Sequence, residues 1–527
     1  MKPKVLAAVI AAVLVVAAGA FALTRLNAPS EDAAIAFVPD EAVMYGNIFI
    51  RPSNDQKRAL DALFRKVPGI DDTDEAIGKL TDLLDRGLAT GGFDYEEDVE
   101  PWLGDQAAGF LLPGGTEEAP HVGFLVESKD DDALQDFVDD VAATGDATIE
   151  ERTYRGETYL IDEEGDPFAV AIVDGFLIAG HEVALKDAID AYAGGAALED
   201  DEDFVDATEP LNDDWIGLFY FDLRGFVAAF EETLDLGPEE RVFFDALGFG
   251  DQDPMAAIVY ATRDSVTFES TGAFNPGGDF AQLTQVVAEP GLVPDLPADT
   301  WLAYGIPKLG RFLDGLFGLG AQVPGFDRSQ IDAAFYGQTG LRLQEDVLSW
   351  MDDAGLFVQG TTIQEVGGGI VIESSDPAKT ARLLERAEEA LVQQGIRPTA
   401  ESQGGLEGFS VQIPGAPAPI YALAGDRLVV AYGDAGVDAA VAAETLRDTD
   451  AFAAAQDAVG DDFNISFYVD VDAAQKLGEG LAAFGGVPLG TTYEEDVKPW
   501  IDALTHVVAA AKMEGDTLVQ KIVIGAE

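Results

Sequence analysis

The chain has 527 residues and no cysteine, and its 97 acidic residues outnumber 31 basic ones, which gives a net charge of −66. This length suggests about three domains, or two large ones. A hydrophobic content of 47% is enough for sizeable cores. The absence of cysteine excludes disulfides, thiolate nucleophiles and cysteine-ligated metal centres.

The distribution of charge bears on the partners of the protein. Lysine and arginine are scattered, and nucleic-acid binding needs clustered cations, so no nucleic-acid partner is expected. We interpret the acidity as a solvated surface typical of a halophilic or salt-tolerant source. A cation-binding role is the alternative, with the acidic runs 130–132 and 199–203 as candidate Ca²⁺ ligands. Neither run has the pattern of an EF-hand loop, so no metal site is predicted.

The N-terminus has the pattern of a membrane anchor. Lys2 and Lys4 precede an unbroken apolar run at residues 5–23, which is long enough to span a bilayer. Positive charge before the run keeps that end in the cytoplasm. We therefore expect a membrane anchor and linker at residues 1–34, with the lipid bilayer as partner and the body outside the cytoplasm. The alternative is a cleavable signal peptide, because residues 20–22 form an Ala-x-Ala site.

The body contains an internal repeat. Residues 67–70, 124–128, 173–178 and 213–222 match 323–326, 370–374, 424–429 and 461–470, in the same order. The offset of about 250 residues is far longer than a solenoid repeat. The pattern predicts two tandem duplicated domains, at residues 35–290 and 291–527.

Local patterns indicate the fold class of each domain. Residues 131–143 predict an amphipathic helix. Its apolar face consists of Leu134, Phe137, Val138 and Val141. Asp174 and Gly175 predict a two-residue hairpin turn. Strands joined by tight turns favour antiparallel sheets, so we predict an α+β fold in which each domain is a mostly antiparallel sheet with helices packed on one face.

A short motif, Glu-Asp-Val-x-x-Trp, occurs three times, at residues 97–102, 345–350 and 495–500. Asp can cap a short helical turn, and Val and Trp three residues apart share one face of it. We interpret the motif as a structural joint that pins a loop to the sheet through the indole. An aromatic–acidic ligand platform is the alternative. The residues are Asp98, Val99, Trp102, Asp346, Val347, Trp350, Asp496, Val497 and Trp500.

These features together resemble a known family. The apolar start, Val38-Pro-Asp-Glu-Ala42 before a strand, and the sequence from Phe93 to Gly104 that contains the first motif are similar to an uncharacterised bacterial membrane-anchored envelope family, domain of unknown function 3352. The resemblance covers nearly all of the chain after the anchor. It implies an envelope protein with a repeated α+β body and supplies no catalytic residues. The second motif departs from the pattern, with Leu348 and Ser349 in the places of Glu100 and Pro101.

Catalytic motifs are missing from the sequence. No Gly-x-Ser-x-Gly nucleophile elbow occurs, and His121, His181 and His506 lie far apart. The glycines at 367–369 precede a strand, whereas a phosphate-binding loop opens a helix. We therefore predict no enzymatic activity and no cofactor.

Three functions remain as hypotheses. The leading one is a non-enzymatic, membrane-tethered binding or scaffold protein of the cell envelope with an envelope protein as partner. The second is a carrier of a lipid or other apolar ligand, with the aromatic strands at 215–221 and 467–469 as candidates. The third is an envelope glycan hydrolase, which needs two carboxylates roughly 5–10 Å apart in a cleft.

Overall fold

A computed structural model describes residues 31–67, 93–114, 120–144, 149–162, 168–230, 252–273, 288–320, 327–485, 489–515 and 517–527. These residues divide into two compact units, one up to Ala273 and the other from Ala288 onward. We call them the first and the second unit. The predicted anchor at residues 5–23 lies outside the described residues. Among the residues that are described, no helix is long and apolar enough to cross a membrane.

The described part of the first unit is built on an antiparallel sheet. Its strands are β1 (Met44–Phe49), β2 (Leu103–Leu112), β3 (His121–Ser128), β4 (Ile149–Tyr154), β5 (Glu157–Asp162), β6 (Phe168–Val173), β7 (Phe176–His181), β8 (Gly217–Phe221), β9 (Met255–Ala261) and β10 (Ser265–Ala273). Their spatial order is β10-β9-β8-β1-β2-β3-β7-β6-β5-β4. The helices are α1 (Asn54–Phe64), α2 (Asp131–Thr144), α3 (Glu182–Tyr192), α4 (Glu202–Thr208) and α5 (Leu223–Phe230).

The second unit is also built on an antiparallel sheet. Its described strands are β11 (Thr300–Ile306), β12 (Met351–Gln359), β13 (Gly367–Ser374), β14 (Thr399–Gln403), β15 (Leu406–Val411), β16 (Ile420–Ala424), β17 (Arg427–Tyr432), β18 (Asn464–Asp470), β19 (Leu504–Glu514) and β20 (Thr517–Ala526). Its described α-helices of five residues or more are α6 (Leu309–Gly320), α7 (Arg328–Thr339), α8 (Pro377–Gln393), α9 (Gly433–Ala440), α10 (Asp450–Val459), α11 (Val471–Phe484) and α12 (Lys498–Asp502). The strand order is β20-β19-β18-β11-β12-β13-β17-β16-β15-β14. Strand for strand, this is the order of the first unit.

Two local predictions are confirmed. Helix α2 runs from Asp131 to Thr144 and buries all four residues of its predicted apolar face. Asp174 and Gly175 join β6 to β7 with positive φ angles of 45° and 81°. Positive φ at both central residues defines the tight turn that matches the twist of an antiparallel hairpin, and glycine adopts it without strain.

The prediction that helices pack on one face of each sheet is wrong, because helices cover both faces. In β3, Leu125 packs in a core with α3, whereas its neighbour Val126 packs in a separate core with α2. In the second unit, Val371 packs with α9 and α10, and Ile372 packs with α8. Strands such as β7 are apolar at consecutive positions, so each face presents apolar side chains that need a cover.

Candidate apolar binding site

The first copy of the repeated motif forms a π-helical turn at Tyr95–Val99 that precedes β2. The indole Nε1–H of Trp102 donates to the backbone oxygen of Asp98 at 2.9 Å. The Asp98 carboxylate accepts the backbone N–H of Asp94 at 2.7 Å. The cap of the turn is Asp94, which accepts the N–H groups of Glu96 and Glu97, so the expectation that the motif aspartate caps the turn is wrong. Val99 and Trp102 are buried in the core with α2.

The second copy repeats two of these bonds and has no side-chain cap. The Trp350 indole donates to the backbone oxygen of Asp346 at 3.0 Å, and the Asp346 carboxylate accepts the N–H of Arg342 at 2.9 Å. Val347 and Trp350 are both buried, and the indole packs in the core that contains α8. Leu348 and Ser349 therefore leave the two hydrogen bonds in place.

The third copy differs from the other two. It forms the same kind of turn at Tyr493–Val497, but Trp500 is 46% exposed and Val497 is also exposed. The side chain of Asp496 lies outside the description. Each copy thus forms a turn of its own, next to the strand or helix that follows it.

The described residues of the first unit form an open cavity on the face of the sheet that α2 covers in part. We call it the trough. Its volume is about 660 Å³, and its described lining comes from β1, β2, β3, β8, β9 and β10. Five residues of five neighbouring strands form one row across it. They are Phe124, Gly109, Gly46, Phe219 and Ala257. A second row contains Ile48, Gly217, Val259 and Phe268.

Two glycines, Gly46 and Gly109, form the bottom of the trough, which we call its floor, and they leave space because they have no side chains. Gly109 lies opposite Phe124 and Gly46 lies opposite Phe219 in the strand register. A Cβ at Gly109 would stand 3.3 Å from the Phe124 ring, and one at Gly46 would stand 3.6 Å from the Phe219 ring. The space between the rings therefore exists because neither glycine carries a side chain. Phe219 and Phe268 are each 45% exposed, so the trough is open to solvent along part of its length.

The lining is chemically uniform. Among the described lining residues none is Asp, Glu, Lys, Arg or His, and Tyr45 and Asn47 are the polar ones. Both of these side chains point to the opposite face, because neighbours in a strand alternate and both bond to Asp32 there. The trough therefore offers van der Waals contact and water exclusion, and its described side chains supply no acid, base or nucleophile.

Behind the trough, a buried polar cluster holds the start of the described chain on β1. The Asp32 carboxylate accepts the hydroxyl of Tyr45 at 2.8 Å and the amide of Asn47 at 2.7 Å. The amide of Asn47 also donates to Gln106 on β2. Burial raises the pKa of Asp32 to about 6, although its hydrogen bonds favour the charged form. Burial beside this carboxylate also raises the pKa of Tyr45 well above its ordinary value.

The three histidines serve local roles. His181 Nδ1 accepts the backbone N–H of Val122 at 3.0 Å, and the rings of His121 and His181 meet edge to face. Burial lowers the pKa of His506, whose Nδ1 lies 3.1 Å from the hydroxyl of Thr505. In the described ranges, no three His, Asp or Glu side chains gather as they would around a metal ion.

Part of the trough is predictable from the sequence. The aromatic strand at 215–221 was singled out as a ligand candidate, and its Phe219 does line the trough, whereas Leu218 and Tyr220 belong to the core with α3. Gly46 and Gly109 were missed. Glycine inside a strand marks missing packing or a close approach, and that was the available signal.

The fold and the trough thus define an α+β protein whose first unit contains an open apolar cavity. A family model described as protein of unknown function (DUF3352) matches residues 5–490, and the chain belongs to this family. The predicted family resemblance is confirmed. A search of curated proteins found no match.

Solved structures of low similarity exist. Crystal forms I, III and IV of TP0453 match with a TM-score of 0.24 each and with 8%, 10% and 10% sequence identity. The matches cover 47%, 48% and 46% of this chain and 82%, 87% and 81% of the other. At this TM-score the likeness carries no argument about fold or function.

Proposed function

We propose that the protein is a non-enzymatic, membrane-tethered binding protein of the bacterial cell envelope whose first unit holds an apolar ligand in the trough. The observation that carries this proposal is the apolar cavity of about 660 Å³, a volume within the range of small-molecule sites. It favours the carrier hypothesis over a scaffold without a ligand. The single-pass anchor and the location outside the cytoplasm rest on the apolar run at residues 5–23 and on Lys2 and Lys4.

A duplication of one ancestral domain is part of this proposal. The repeated sequence segments and the identical strand order of the two units support it. In this view the two units began with the same sheet and then diverged in the side chains that they present on it. Ligand binding is assigned to the first unit alone.

The glycan-hydrolase hypothesis receives no support from the trough. Glycoside cleavage uses a pair of carboxyl groups that flank the bond. The described lining of the trough contains no carboxyl group. An envelope protein partner remains compatible with the proposal, because the ligand site occupies part of one face of one sheet.

Photo-crosslinking in the membranes of the producing cell tests the proposal. p-Benzoylphenylalanine replaces Phe219 in the full chain, and a second protein carries it in place of Val205 on α4. Val205 is the matched control, because it is 44% exposed in the same unit but lies outside the trough. We expect the mass of a small apolar adduct at position 219 and none at 205. Equal adducts at both positions, or crosslinks to the chain alone, would contradict the proposal.

A further inference from the structure

We propose that the trough takes one hydrocarbon chain of a bilayer lipid, and that Gly46 and Gly109 are the residues that admit it. This inference rests on the proposed function and names the class of ligand. Four observations support it: the width of the trough, its capacity, its neutral lining and its place close to the tether.

The dimensions of the trough fit a single chain. Its lining spans six adjacent strands, hence five interstrand spacings, or about 24 Å at about 4.8 Å each. A volume of about 660 Å³ over that length corresponds to a shallow open groove with a mean cross-section of about 28 Å². An α-helix with side chains is about 10 Å across and does not fit. A chain of methylene groups does.

The capacity of the trough is that of a lipid tail. A methylene group is similar in size to a water molecule, which occupies about 30 Å³ in the liquid, so the trough holds about twenty such groups. The described lining has no charged side chain that could receive a headgroup. The headgroup therefore stays outside, where the exposed rings of Phe219 and Phe268 border the opening.

The covalent chain keeps the trough near the bilayer. Residues 24–31 separate the apolar run from Asp32, and eight residues span at most about 28 Å. Asp32 is hydrogen-bonded to Tyr45 and Asn47 on β1, and β1 runs through the middle of the trough. A net charge of −66 also opposes capture of free fatty-acid anions, so we assign the chain to a lipid of the bilayer.

The second unit shows what closes such a site. In the first unit, Gly46 pairs with Gly109 on one side and with Phe219 on the other. In the second unit, Tyr304 pairs with Leu356 and with Phe467 in the same way. Tyr304 and Leu356 therefore stand where the first unit has its floor. The inference predicts one retained lipid per chain, in the first unit.

The test uses the full chain in nanodiscs that contain phosphatidylcholines with acyl chains from about 12 to about 24 carbons, a range that brackets the capacity of the trough. Native mass spectrometry counts the lipids that stay bound and identifies their chain length. Before the measurement, cyclodextrin extracts the bilayer lipid, so that release from the trough is release into water. We expect one lipid per chain and a retention that rises with chain length up to about twenty carbons and then levels off, because each buried methylene opposes release into water until the trough is full. A preference that is flat with chain length would overturn the inference.

The floor glycines supply the variants. Gly46→Tyr with Gly109→Leu gives the first unit the side chains of the second, and we expect retention to fall at least about tenfold, since the chain and the new side chains compete for the same space. Gly272→Leu on β10 is the matched control, because a Cβ there meets nothing within 4 Å. Near-UV circular dichroism checks that each variant is folded, and Gly109→Leu alone is the milder variant if the pair is not. Unchanged retention in a folded floor variant would overturn the inference.

The outcomes separate this inference from the proposed function. A compact, non-lipid adduct at Phe219 together with a flat chain-length profile would support an apolar binding protein and would reject a lipid chain as its ligand. A crosslink from Phe219 to another segment of the same chain, or to a second copy, would remove both proposals, because the trough would then be filled by protein.

Discussion

The two units share a strand order, but they present different surfaces on equivalent faces of their sheets. In the first unit the row across the sheet contains Gly109 and Gly46 between phenylalanines, and in the second it contains Leu356 and Tyr304. Tyr304 is 47% exposed, so its ring stands on the surface of the sheet. The same strand order therefore carries different surfaces: glycine leaves two positions of the row open in the first unit, and Leu356 and Tyr304 fill them in the second.

The units also differ behind the sheet. The register places Ala303 and Gly305 of the second unit where the first unit has Tyr45 and Asn47. Neither residue has a polar side chain, so neither can bond to a carboxylate as its counterpart bonds to Asp32. At these positions the second unit therefore has no partners for a carboxylate such as Asp32. The joints at Trp102 and Trp350, by contrast, are alike in the two units, since both indoles are fully buried and donate to the backbone oxygen of the motif aspartate.

The largest effect is expected at the joints, and it should be equal in the two units. Trp102→Ala and Trp350→Ala each remove a fully buried indole and should lower the free energy of unfolding by about 3–5 kcal/mol. Trp500→Ala, at the exposed third joint, should lower it by about 1 kcal/mol or less. Guanidinium unfolding gives the size of each effect, and hydrogen exchange in β2 and β12 shows which unit is weakened. A large loss for Trp500→Ala would show that exposure does not rank the joints.

The next largest effect is a pH dependence of stability caused by Asp32, which the first unit bonds behind its sheet. The pKa of Asp32 is raised to about 6 when folded, from an ordinary value near 4. The folded state therefore binds the proton more tightly, so the contribution of Asp32 to stability is fully present below about pH 4 and is lost as pH rises through about 6. Relative to Asp32→Asn, wild type should lose up to about 3 kcal/mol between pH 4 and pH 7. Urea unfolding of both proteins across this range measures the difference.

A residue of the second unit provides the control with the opposite sign. Asp327 caps α7, and hydrogen bonds from Ser329 and Gln330 lower its pKa. Its contribution to stability is present above about pH 4 and is lost as the pH falls below its lowered value. The difference between wild type and Asp327→Asn should therefore stay constant between pH 4 and pH 7 and shrink in stronger acid. If both variants followed the same pH trend, burial of Asp32 would not explain its behaviour.

A smaller effect tests whether the second unit can be made to resemble the first. Tyr304→Gly with Leu356→Gly gives it a glycine floor, and the number of lipids retained by the full chain should rise from about one to about two, because a second face becomes free. Native mass spectrometry from the same nanodiscs counts them. Met513→Ala, at an exposed position of β19, serves as a control for the loss of apolar surface. A count that stays at one would show that the floor residues alone do not distinguish the units.

The smallest effect is expected at a pair that both units share in kind. Arg51 forms a salt bridge with Asp105 at 2.8 Å, and Lys308 forms one with Asp352 at 2.6 Å. In each unit the cation follows the first strand and the aspartate lies on the next strand. Arg51→Met and Lys308→Met should each lower the free energy of unfolding by about 1 kcal/mol or less, since the pairs are partly exposed. Unfolding at low and high salt is the measurement, and the loss should shrink in high salt. A loss that grows with salt would contradict an ion-pair origin.

Local features of the fold could be predicted from the sequence, because their signals lie within a few residues. Helix α2 and the turn at Asp174 and Gly175 follow from periodicity and turn chemistry. The pairing of β1 with β8 could not be predicted, because the two strands are far apart in the chain and the residue pattern of one strand does not identify its partner. The helices on both faces were missed, although β7 is buried at consecutive positions and the continuous apolar run was a signal.

The candidate site was only partly within reach of the sequence. Phe219 lies in the aromatic strand that was singled out, but whether its ring borders a space depends on what stands opposite it. That neighbour is Gly46, and the register that joins them emerges only in the folded sheet. The joint residues Trp102 and Trp350 repeat in sequence because they repeat a packing unit, and the recurring pattern marked them without a structure.

The attachment of Asp32 to β1 has a mechanical consequence. β1 is hydrogen-bonded along both sides, to β2 and to β8, whereas β4 is joined to the sheet through β5. A load applied through the N-terminal tether is therefore delivered next to an interior strand, where two ladders share it. If the tether met the sheet at β4, the same force could peel one ladder apart, bond after bond. If residues 5–23 anchor the chain as proposed, the attachment lies at a place that resists unfolding under a force from the membrane.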